Sequence, residues 1–163
     1  MVNRENADYR LRLAKEHLDD ARFELAGQRW SKAAMSAQLA VENAAKSVVS
    51  LARILPRTHD LAAELMDLES EWRSPSDRQN LLELADLAQR LGHKEHVLVS
   101  YGDEVALRTP AELYDENKGR RAVAAAERAV ELAAHLGEAF GQQCTGPDES
   151  GGVCDSIGRT ESG

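Results

Sequence analysis

The chain has 163 residues, of which 42% are apolar and 29% charged, so it suits one domain with a real core and a soluble surface. Its formal charge is -8, which excludes a protein that holds nucleic acid or an anionic membrane by overall charge and leaves only a local basic patch for that role. No stretch approaches the ~20 apolar residues of a membrane-spanning helix. The polar start Met1-Val2-Asn3-Arg4-Glu5-Asn6 lacks the apolar region of a signal peptide, so a cytoplasmic location is expected.

Aromatics are only 4%, while Ala and Leu are frequent, a bias that favours helices. The first helix is expected from Glu5 to Ala26, with Leu11, Ala14, Leu18, Ala21 and Leu25 on one stripe and Gly27 as its left-handed stop. The second is expected from Trp30 to Arg53. Trp30, Ala34, Ala37, Val41, Ala44, Val48 and Leu51 alternate spacings of four and three, the strongest periodic signal in the chain. Their small size admits close neighbours, which places this helix at the centre. Pro56 ends it.

A third helix is expected from Thr58 or Asp60, with Leu61, Leu65, Leu68 and Trp72 inward. Ser74-Pro75-Ser76-Asp77 reads as a turn and capping signal, with a fourth helix over Arg78 to Leu91. His93 to Thr109 reads as a connector. Pro110 opens a last helix that runs to Phe140 and is closed by Gly141. The sum is an all-α, up-and-down bundle of four to five helices over residues 1–141. Residues 142–163 are rich in Gly, Ser, Asp and Glu and read as a disordered tail. Cys144 and Cys154 lie there without a nearby His. They are expected to be free thiols in a reducing compartment, with no metal site and no cofactor.

Four segments along this frame resemble the HEPN family. Ala33-Ala34-Met35-Ser36-Ala37-Gln38-Leu39-Ala40-Val41-Glu42-Asn43-Ala44-Ala45-Lys46 is similar to the family's alanine-rich AxxAxExAxK helix, and Thr58-His59-Asp60-Leu61 to its tHDL segment. Ser100-Tyr101-Gly102-Asp103 is similar to RY[PG]D, and Pro110-Ala111-Glu112-Leu113-Tyr114 to P-x-E-x-Y. The match covers roughly residues 7 to 138. The resemblance implies a helical bundle, often a homodimer. It also implies frequent pairing with a minimal nucleotidyltransferase in toxin–antitoxin or defence modules, and for some members metal-independent RNase activity through an Arg/His pair. Ser100 departs from the pattern, because the family has Arg there, and nothing that depends on that guanidinium carries over.

Arg53/His59, Arg90/His96 and Arg128/His135 have the spacing of such a pair, His serving as acid or base and Arg stabilising a charged phosphorane. Three Arg/His spacings among five His are close to what chance supplies. His135 reads as structural. His59 suits a packed helix corner equally well, and Arg90 and His96 suit a solvated helix end. Lys118, Arg120, Arg121 and Arg128 form a basic run that reads as a solvated face or a phosphate contact. Tyr101 and Tyr114 are candidates to stack on a base, and Asp103 and Lys46 enter as ligand candidates from the matched segments. Phosphate loops, G-x-S-x-G, HExxH and CxxC are absent. The expected function is a nucleotide- or RNA-associated binding module acting with a nucleotidyltransferase. The alternative is a metal-independent endoribonuclease.

Overall fold

The computed structural model describes residues 4–55 and 61–145. Its elements are α1 (Arg4–Ala26), α2 (Trp30–Ala52), α3 (Leu61–Asp67), a 3-10 turn (Glu69–Glu71), α4 (Pro75–Arg90), α5 (His93–Tyr101), α6 (Pro110–Leu113) and α7 (Glu116–Thr145). Beyond one isolated bridge between Asp103 and Arg108, no β structure occurs among the described residues. The all-α bundle expected from the sequence is therefore what forms.

α2 is the axis. It packs against α1 along most of its length and against α7 on another side, and it also contacts α3, α4 and α5. Fourteen of its 23 residues are buried, and most of these are Ala and Val. Small side chains bring the neighbouring backbones close, so contact is made by many short apolar groups rather than a few large ones. α7 comes close enough at Gly119 that a Cβ there would sit 3.3 Å from the Trp30 Cα. The larger core residues fill the end nearest α3 and α4: Leu65, Leu68, Leu81, Leu84 and Trp72 are fully buried, and the Trp72 ring meets Phe140 at 5.4 Å.

The structure corrects several details. The left-handed residue that stops α1 is Gln28 (φ 59°) rather than Gly27. Arg29 N–H reaches back to the Glu24 carbonyl at 2.9 Å and Gln28 N–H to the Leu25 carbonyl at 3.0 Å, the paired closure of a Schellman end. α4 starts at Pro75, three residues before Arg78, because the Ser74 hydroxyl caps the Asp77 amide and proline is harmless in a first turn.

Residues 93–101 are helical, not a connector. Gly102 ends α5 at φ 81°, where a Cβ would lie 2.3 Å from the Arg108 carbonyl oxygen, so only glycine fits. The final helix is broken into two. Tyr114 is extended (φ -111°, ψ 113°), and the Asp115 carboxylate restarts the helix by accepting the Lys118 amide at 2.9 Å. Gly141 does not close α7, which continues to Thr145. Thr58, His59 and Asp60, Cys154 and most of the 142–163 tail lie outside the described residues.

If the α2 seam is set by small side chains, enlarging one is destabilising even though the change is apolar. Ala44→Leu, at a position with no exposed surface, is expected to lower unfolding free energy by about 1–3 kcal/mol in a denaturant titration. Unchanged stability would mean that the seam has slack.

Candidate functional site: the cleft between the second and fifth helices

α2 is buried over most of its residues, yet Gln38, Glu42 and Lys46 follow one another at four-residue intervals and so share one side of it. They are joined in series. The Gln38 amide nitrogen donates to Glu42 Oε2 at 3.1 Å, and Lys46 Nζ donates to Glu42 Oε1. The remaining Gln38 group, its amide oxygen, lies 3.1 Å from Nδ1 of His96 on α5. An ionised carboxylate only accepts hydrogen bonds, so it fixes which end of the Gln38 amide faces it. Gln38 then presents an acceptor to His96, and Nδ1 must carry the proton. The neutral ring keeps its lone pair on Nε2, which has no hydrogen-bond partner among the described residues.

His96 lines a cleft of about 350 Å³ between α2, α3, α4 and α5. Leu39, Val41, Leu61 and Ala88 give it an apolar floor, while His93, His96 and Tyr101 line its α5 side. Those three residues, with Val97, are spaced along one face of α5. Tyr101 is 68% exposed, so its ring faces solvent at the rim. An apolar floor with a few oriented polar groups is the usual composition of a small-molecule site.

Burial alone would push the Glu42 carboxyl up, but the hydrogen bond and charge of Lys46, with help from Gln38 and His96, override it and hold the group below its ordinary value. A carboxylate favoured by folding contributes its stability above the unfolded-chain value near 4.5, and that contribution is lost as pH falls through the lower folded value.

The other candidates from the sequence have local partners. Arg53 is half-buried at the α2–α3 corner, with Glu64 at 3.3 Å and Glu71 at 3.5 Å. His59 lies outside the described residues, so that pair has no geometry here. Arg90 pairs with Asp86 at 2.8 Å and lines a different depression from His96, so the two do not share the α2–α5 cleft. Arg128 is held bidentately by Glu83 at 2.7 and 2.8 Å and by Glu131, which together raise its pKa. His135 meets Asp77 at 2.8 Å on the surface.

Asp103 builds a turn: its carboxylate accepts the Ala106 amide, and its backbone bridges Arg108. Tyr114 is buried, its hydroxyl donating to Glu95 at 2.7 Å, and burial followed by that carboxylate pushes its phenol well above the ordinary range. Lys46 reaches the cleft only through Glu42. Among the described residues put forward from the sequence, His96 and Tyr101 are therefore the ones that line the cleft. Gln38 and Glu42 were not singled out, although the recurrence of polar groups every fourth residue in an alanine-rich helix was the available signal.

Lys46→Met removes the group that keeps Glu42 ionised. The stability difference between the parent and this variant is expected to be largest at neutral pH and to shrink as pH drops below about 4.5, read from urea midpoints across pH 3–7. A difference that does not change over that range would contradict the coupling.

Among the described residues, no group of three or more His, Cys, Asp or Glu is placed to hold a metal ion, and no helix is long and apolar enough to cross a membrane. No curated protein and no solved structure matches the chain. A family model, described as HEPN domain, matches residues 7–136, a span that runs from the first turn of α1 through the helices around the cleft to the buried Leu136 of α7. With the bundle, the alanine-rich α2 and this match in agreement, the chain belongs to the HEPN family.

Proposed function

We propose that this HEPN domain is a nucleotide- or RNA-binding module whose ligand enters the α2–α5 cleft, and that it acts, as a homodimer, with a minimal nucleotidyltransferase in a toxin–antitoxin or defence-type system. The observation that carries the reading is the pairing, in one cleft, of an oriented His96 with an exposed Tyr101. An exposed ring at the rim is a stacking platform for a base. Nε2 of His96 accepts from a hydroxyl or amino group when the ring is neutral, and donates to a phosphate oxygen when it is protonated.

A second reading, metal-independent cleavage of RNA, draws on the same histidine, because a ring with its tautomer fixed by a neighbour suits a general base. It is the less favoured of the two. Ser100 stands where the family has Arg, Arg53 is taken up by two carboxylates, and Arg90 lies on a different depression.

Titration with mononucleotides and a short single-stranded RNA, followed by amide chemical shifts, tests the binding reading. Saturable shifts centred on residues 92–101 are expected, with Tyr101→Ala weakening binding by about 1–3 kcal/mol. Absence of binding by every nucleotide and by the RNA would overturn it. EDTA-resistant cleavage of the RNA that disappears in His96→Ala would move the assignment to the enzyme. Failure to co-purify with, or be stabilised by, a purified minimal nucleotidyltransferase would remove the partner from the proposal.

A further inference from the structure

A second cleft, of about 310 Å³, opens on the other side of α5, where the ends of α4 and α5 meet α6 and the start of α7. Its lining carries three cations, Arg90, Lys118 and Arg121, and one carboxylate, Glu95, in a chain whose formal charge is -8. The carboxylate is already engaged, accepting the Tyr114 hydroxyl at 2.7 Å.

The cations are held but poorly neutralised. Lys118 Nζ donates to the Leu113 carbonyl at 2.6 Å and lies 5.7 Å from the Tyr114 ring centroid, contacts that fix its position without cancelling its charge. Arg121 has no ion pair among the described residues. The partner of Arg90 is Asp86, one turn away on the same exposed surface, an arrangement of small worth that an incoming anion can displace. The rest of the basic run is arranged differently: Arg120 is bound by Glu116, and Arg128 by Glu83 and Glu131. The run therefore divides into arginines tied to carboxylates and a pair of cations turned to the cleft.

The floor under these cations is apolar, formed in part by Leu98, Leu113 and the buried Tyr114 ring. Bare inorganic phosphate would leave that floor unused, whereas a phosphate attached to a flat or aliphatic group covers it and places its oxygens at the rim. We infer that this cleft is a second binding site, for a phosphate monoester with an apolar or aromatic body. The inference stands apart from the α2–α5 cleft, since it uses none of that cleft's residues.

Phenyl phosphate is the probe, with inorganic phosphate and phenol as its separated halves, titrated into the full chain by calorimetry and by amide shifts. Phenyl phosphate is expected to bind more tightly than either half, with shifts at Leu98 and Ala122. The double variant Lys118→Ala/Arg121→Ala is expected to bind it about tenfold more weakly, or worse. Arg120→Ala, which alters a cation outside this cleft, is expected to bind as the parent does. Both sites of the double variant are exposed, so an unchanged thermal midpoint shows that the loss is one of binding. Shifts confined to the α2–α5 cleft, equal affinity in the double variant, or inorganic phosphate binding as tightly as phenyl phosphate would each overturn the assignment.

Discussion

The structure depends on a helix that is buried on nearly every side. α2 must satisfy any polar side chain it carries inside the bundle, because water reaches little of its surface. The buried ones are each answered. Ser47 and Ser50 hydroxyls return to carbonyls of their own helix. Asn43 donates to the Leu39 carbonyl and accepts from Arg10 of α1. Gln38, Glu42 and Lys46 cannot be closed so locally, and their chain of hydrogen bonds ends on a residue of another helix, His96. The packing requirement of the core thus specifies the orientation of a side chain in a cleft. Removing one member leaves a half-buried polar group unanswered, which couples the cleft to the stability of the bundle.

The same arrangement explains why α5 is the functional element rather than another strut. It has one buried residue, Val99, and contributes little to the core. One face of it lines the α2–α5 cleft, and Glu95 and Leu98, on another side, line the second depression. Gly92 caps its start and Gly102 terminates it in a conformation closed to other residues, so a short helix with weak core contact is still held in place. A rigid scaffold supporting a less buried element that carries the polar groups is a common division of labour in binding proteins.

Much of the fold was legible in the sequence because the long helices announce themselves by period. The ends of α1 and α2 fall within one residue of expectation, and Leu61, Leu65, Leu68 and Trp72 point inward as their spacing indicates. α5 was not legible: Val97-Leu98-Val99 is three apolar residues in a row, two of them β-branched, so it shows no helical stripe, and only its glycine brackets mark it. The break at Tyr114 was missed because Pro110 already marks a helix start, although Asp115 is an ordinary cap. Of the site, Tyr101 and His96 were visible as residue types. What joins His96 to Gln38 is a contact between residues 58 apart in sequence, which no local pattern contains. The arginines looked interchangeable by spacing, and only the position of their carboxylate partners separates those that are occupied from those that face a cleft.

The account rests on the carboxylate of Glu42 setting, through Gln38, the proton position on His96. Long-range 15N–1H correlation spectra of the imidazoles, recorded at alkaline pH, measure this directly. The account predicts that neutral His96 carries its proton on Nδ1 in the parent protein and loses that preference in Gln38→Met. A proton on Nε2 in the parent, or a preference unaffected by removing the amide, would contradict it.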